Sequence, residues 1–142
     1  MNPGHKRLVV AITVAYWVLL FVATHLPAER VVLPNFSHSD LVVHFVAYLV
    51  LGLVVCLAWP ASSQSRARAS ATSNVERPRR WPRLVLILIV LLAYAAFDEI
   101  SQGPVGRSPE LSDWLADLAG VCCAIGLFSA WQRRRFAANR PG

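Results

Sequence analysis

The sequence predicts an all-α fold, a four-helix transmembrane bundle, and three observations predict it. Hydrophobic residues make up 56% of the 142 positions and mean hydropathy is +0.47, far more apolar character than a soluble domain of this size needs for its core. Those residues are gathered into four stretches. The charges, finally, are sorted by sign: Glu29, Asp40, Asp98, Glu99, Glu110, Asp113 and Asp117, seven of the eight acids, fall at one end of the stretches, and twelve of the fourteen Lys and Arg fall at the other. A bilayer accounts for all three features, and the chain is read as one domain over 1–142.

The first helix is expected at about 8–26. Its apolar run, Leu8 to Val22, follows His5-Lys6-Arg7 and so has the outline of a signal peptide. Phe21 and Leu26, however, occupy positions where small residues would precede a cut, so an uncleaved helix is expected. The second, at about 41–59, is a 19-residue apolar span broken only by His44, Tyr48 and Gly52. From 60 to 82 the chain is rich in Ser, Ala and Arg and lacks apolar periodicity, the composition of a loop. The third stretch is apolar only from Leu84 to Phe97, too short for a hydrocarbon core that needs about 20 residues. Extended to about 83–103 it carries Asp98, Glu99 and Gln102 into the membrane margin, and Gly103-Pro104 ends it. The fourth, about 111–131, spans only if Asp113 and Asp117 lie inside it, and it closes on Arg133-Arg134-Arg135.

Lys6 and Arg7, six Arg in the second loop and four at the C-terminus stand against Arg30 and Arg107 alone. The positive-inside rule therefore puts both termini and the 60–82 loop in the cytoplasm, an N-in and C-in topology with the acidic end outside. The net charge of +6 is spent in these juxtamembrane runs, so no nucleic-acid partner is expected. Cys56, Cys122 and Cys123 sit in apolar stretches without a CxxC spacing, which gives neither a disulfide framework nor a zinc motif.

Asp40, His44 and Tyr48 recur every four residues and stack on one face of the second helix, about 6 Å apart in rise. Asp98 and Glu99 lie four and three residues before Gln102, and Asp113 and Asp117 repeat the four-residue spacing. Three helices thus carry polar stripes to the same depth, where a lone Asp costs roughly 2.5–3.5 kcal/mol at the bilayer centre and less near its edge. A shared, hydrated pocket is the economical arrangement. Arg107, between the third and fourth helices, is the natural cation for it or for a ligand phosphate. His44 beside Asp40 is a candidate base, and Glu99 and Asp98 are candidate proton carriers. Blander accounts exist for several of these: Asp40 suits a helix start, Asp113 a cap, and Asp98, Glu99 and Gln102 a hydrogen-bonded helix contact. Glu110, Glu29, Arg30, His25 and His38 read as surface residues.

The run Ser39 to Gly52, then Asp98-Glu99-Ile100-Ser101-Gln102, Gly106-Arg107-Ser108, and Asp113 through Asp117 to Gly120 resembles the VanZ-like family of small bacterial membrane proteins. The family pattern reads approximately D-K-x-x-H-F-x-x-Y-x-x-L-G, D-E-x-x-Q, G-R-x-x-x-x-x-D and x-x-x-N-x-x-G in this order, and the likeness covers about two thirds of the chain. Two positions depart from it: Leu41 stands where a Lys is usual and Asp117 where an Asn is, the second adding a negative charge. The resemblance implies the bacterial cytoplasmic membrane and a cell-envelope role, because the family takes its name from a protein associated with resistance to the glycopeptide teicoplanin. It implies no particular reaction.

Two function classes follow. In one, Asp40, Tyr48, Gln102, Arg107, Ser108, Asp113 and Asp117 bind a phospholipid or lipid-linked phosphate at the outer leaflet, and His44, Glu99 or Asp98 moves a proton. In the other, the pocket is non-catalytic and binds such a precursor or a partner, or its polar groups only hold the helices together. No fixed nucleophile beside a base is visible, so enzyme activity stays open. No cofactor or metal is assigned, although His44 with several carboxylates is compatible with a divalent ion. So thin a bundle is also compatible with a homodimer.

Overall fold

The computed structural model describes residues 2–26, 39–59, 81–103 and 110–138. They form four helices, α1 (Pro3–Thr24), α2 (Ser39–Ala58), α3 (Trp81–Ser101) and α4 (Leu111–Ala138), and no strand occurs among the described residues. Each helix contains a span long and apolar enough to cross a membrane, so the chain is a multi-pass membrane protein. The loop expected at 60–82 lies almost wholly outside the described residues.

The helices exceed their expected lengths at the two chain ends. α1 begins at Pro3 because Asn2 caps it, its side chain accepting from the Gly4 amide at 3.3 Å, and proline suits a first helical position. α4 runs on through Arg133-Arg134-Arg135 to Ala138, so its 28 residues reach about 42 Å, beyond a hydrocarbon core of about 30 Å. Its polar last turns therefore project from the bilayer, and Arg135 lies over the Trp131 ring, 4.4 Å from its centroid, as an interfacial pair would.

The exterior is apolar. Leu8, Val14, Leu19, Ile89, Ile100 and Leu127 are exposed, which water would penalise and acyl chains accept. The interior holds Tyr48, Leu51, Cys56, Ile87, Leu91, Ala95, Val121 and Ala124. Trp17 packs edge-on against Tyr94 with ring centroids 5.0 Å apart, joining α1 to α3. Hydrogen bonds also cross between helices: Tyr16 Oη donates to the Ala47 carbonyl at 3.0 Å, and Arg83 Nη2 donates to the Cys56 carbonyl at 2.9 Å, covering the end of α2.

α2 and α4 are the most extensively packed pair, and they run parallel. Glycine makes that possible. A Cβ on Gly52 would sit 2.7 Å from the Ala124 Cβ, and one on Gly120 would strike the Phe45 carbonyl oxygen and lie 2.9 Å from the Leu49 amide nitrogen. Because the backbones touch there, Phe45 and Leu49 are held opposite Gly120, and Gly52 opposite Val121 and Ala124. The register is thereby set for everything toward the acidic end.

Candidate functional site

One turn from the Gly120 contact, the same register sets His44 of α2 beside Asp117 of α4. His44 is 6% exposed and Asp117 1%, and His44 Nδ1 lies 3.0 Å from Asp117 Oδ1. With Asp117 ionised its carboxylate only accepts, and in that state Nδ1 carries the proton and Nε2 faces the other way. There it meets Asp113, a turn earlier on α4, whose Oδ2 is 3.8 Å away, beyond hydrogen-bond range. Half-buried Asp40, a turn before His44, completes the group: single ligand atoms of Asp40, His44 and Asp113 all lie within 4.8 Å of one another.

Asp98 of α3 belongs to a second group, built with the end of α1. It is buried, accepts from Thr24 Oγ1 at 2.9 Å, and has His25 Nδ1 3.8 Å away. His25 in turn places Nε2 2.9 Å from Ser101 Oγ, whose hydroxyl donates to the Asp98 carbonyl at 2.9 Å. His25, expected at the surface, is thus drawn into the bundle: with Thr24 it gives the buried carboxylate polar company that a lipid environment would withhold. Nothing in the sequence flagged either residue beyond a polar pair ending an apolar run.

Glu99 turns instead toward the start of α4. Its Oε1 accepts from the Glu110 amide at 2.6 Å, while the Glu110 carbonyl receives the amides of Asp113 and Trp114 at 3.1 and 3.3 Å. Glu99 so ties the end of α3 to the first turn of α4, and it lines an open groove between them with Ala96, Ile100, Glu110, Leu111 and Trp114. Glu110 itself is exposed, as its sequence position suggested.

Tyr48 is fully buried one turn beyond His44, within electrostatic reach of Asp117 and Asp98, which sets it between the two groups. Its hydroxyl has no hydrogen-bond partner among the described residues, and neither has Nε2 of Gln102, a residue 3% exposed. Arg107 and Ser108 lie outside the described residues. Of the candidate residues that are described, Asp40, His44, Asp113 and Asp117 form one constellation, while Asp98 and Glu99 are engaged by neighbouring helix ends. The imidazole that Thr24 and Ser101 meet is His25, at 3.2 and 2.9 Å, and not His44.

A family model described as VanZ/LLP1 matches residues 8–132, which takes in α2 and α3 whole and most of α1 and α4. No curated protein and no solved structure matches the chain.

Proposed function

We propose, for a chain that belongs to the VanZ/LLP1 family, that the acidic end of the bundle is a pocket at the outer leaflet of the bacterial cytoplasmic membrane that binds or processes a phospholipid or lipid-linked phosphate. The observation that carries this proposal is the His44–Asp117 pair, an imidazole and a carboxylate buried 3.0 Å apart in an apolar bundle beside two further carboxylates. Ionisable groups at such depth are costly, and function is their usual warrant. The groove between α3 and α4 supports a lipid ligand, because its surface is almost wholly apolar and is lined by Ala96, Ile100, Leu111 and Trp114, which an acyl chain can cover. Arg107, on the connection between those helices, is the cation for the phosphate. The outward orientation follows from the distribution of Lys and Arg.

Within this pocket the roles divide. His44, oriented by Asp117, is the group able to accept and return a proton, whereas Asp98 and Glu99 are occupied by Thr24 and the Glu110 amide. That occupation favours a second reading for those two residues: they hold α1 to α3 and α3 to α4, as buried polar groups do in membrane bundles. An altered access of glycopeptides to their lipid-linked target is the cellular effect we expect.

Lipid co-purified with the wild type and with Arg107→Ala, identified by mass spectrometry, tests the proposal. The wild type should carry a phosphate-bearing lipid that Arg107→Ala loses, and Arg107→Lys should retain it only in part, because the planar two-point grip is gone. If it is an enzyme, His44→Gln should abolish the cellular effect while leaving lipid retained. If Arg107→Ala and His44→Ala both fold and match the wild type in lipid retention and glycopeptide susceptibility, the proposal fails.

A further inference from the structure

We propose that Asp40, His44 and Asp113 bind a divalent transition-metal ion of the Mn²⁺ or Zn²⁺ class, with Asp117 as the positioning residue for the imidazole. The ligand atoms of the three residues converge within 4.8 Å. His44 Nε2 and Asp113 Oδ2, at 3.8 Å, are too far apart to hydrogen-bond, and they lie within the span of about 4.4 Å that two bonds of about 2.2 Å to one ion can bridge, a few tenths of an ångström wider than a tetrahedral pair. Asp117 adds the remaining part of a metal-binding histidine. By accepting from Nδ1 at 3.0 Å it leaves the Nε2 lone pair turned toward the two aspartates, the carboxylate–imidazole–metal arrangement that fixes the tautomer and strengthens the ligand.

Charge points the same way. Three carboxylates, Asp40, Asp113 and Asp117, surround one imidazole, and Glu99 and Glu110 are within electrostatic range of Asp113. Crowded together, such carboxylates are relieved by taking up protons or by a cation, and a bound divalent ion is the second of these. A separate observation is the orphaned hydroxyl of Tyr48, which is fully buried one turn from His44 on the same face of α2. A buried hydroxyl is ordinarily paired, and a water reaching in from the ion's open side would pair this one. One nitrogen and two carboxylate oxygens suit Mn²⁺ or Zn²⁺ better than the oxygen-only ligand sets of Mg²⁺ and Ca²⁺, and three protein ligands leave positions free for water or a phosphate oxygen.

The inference deepens the lipid-phosphate proposal and rests on it only for the ligand, since an ion here would let an acidic pocket grip an anionic headgroup. The test reads the metal first. The full chain, in nanodiscs of phosphatidylcholine and stripped with EDTA, is titrated with MnCl₂ and followed by electron paramagnetic resonance, with Zn²⁺ as competitor. Saturable Mn²⁺ binding that Zn²⁺ displaces, with nitrogen coupling to the bound ion in the pulsed spectrum, is expected. Asp40→Asn, His44→Gln and Asp113→Asn should abolish it, Asp117→Asn should weaken it roughly 10–100-fold, and Tyr16→Phe, on a distant helix contact, should leave it unchanged. Absence of saturable binding, or of nitrogen coupling in the wild type, overturns the inference whether or not the variants fold. Retention of a polyprenyl phosphate is then measured with and without EDTA. Retention by a wild-type chain that binds no Mn²⁺ overturns the metal and leaves the lipid proposal standing, and Mn²⁺ binding by the wild type without retention upholds the metal and overturns the lipid proposal.

Discussion

Replacing Gly120 with alanine should loosen the candidate site without touching any of its polar residues. The new methyl would lie 2.9 Å from the Leu49 amide nitrogen and closer still to the Phe45 carbonyl oxygen, whereas ordinary contact begins at 3.4 Å. Both obstacles are backbone, so no rotamer change relieves them, and α2 and α4 must part by at least about 0.5 Å. One turn away, that movement stretches the His44–Asp117 contact from 3.0 Å toward the limit of a hydrogen bond. Overpacking costs about 1–3 kcal/mol and an interhelical hydrogen bond in a bilayer about 0.6–1.7 kcal/mol. Against these stands the gain of about 0.5–1 kcal/mol for alanine over glycine in a helix. A net loss of roughly 1–3 kcal/mol should appear when unfolding in mixed micelles is titrated with SDS. Gly126→Ala is the control: it meets nothing within 4 Å and should be neutral or slightly stabilising. Gly52→Ala should be harmful alone and restored by Ala124→Gly, since among the described residues the Ala124 methyl is the one neighbour inside 3.4 Å. A Gly120→Ala chain as stable as Gly126→Ala would refute the claim that backbone contact sets the α2–α4 register.

The other predictions concern separate parts of the bundle. Thr24→Val removes the hydroxyl that donates to Asp98 at 2.9 Å, so a loss of about 1–3 kcal/mol in the same unfolding titration is expected, and an unchanged midpoint would argue against the α1–α3 link. Glu99→Gln retains an oxygen that can accept from the Glu110 amide and Glu99→Ala does not, so hydrogen exchange at the first turn of α4 should quicken only in the alanine variant. Cysteine introduced at residue 105, in a chain freed of Cys56, Cys122 and Cys123, should react with an impermeant reagent in intact cells while one at residue 70 is spared. The opposite pattern would move the acidic pocket to the cytoplasmic side.

The sequence by itself determined the four helices, because apolar length is a local property and a chain in lipid must satisfy its backbone within each segment. It also determined the polar stripes: residues four apart share a helix face whatever the rest of the chain does, so Asp40, His44 and Tyr48 were legible as a set, and so were Asp113 and Asp117. The helix ends were less legible, since Asn2 capping and the polar final turns of α4 extend two helices past the apolar runs that announced them. Only the tertiary structure decided which stripe meets which. His44 is 73 residues from Asp117, and nothing local joins them; the backbone approach at Gly52 and Gly120 chooses the register, and the register chooses the pair. The same holds for Asp98, 74 residues from Thr24, and for Glu99, whose carboxylate turns to the Glu110 amide. Periodicity can say which face of a helix is polar, but the partner of that face depends on how closely two backbones can pack, and this is a property of the folded pair.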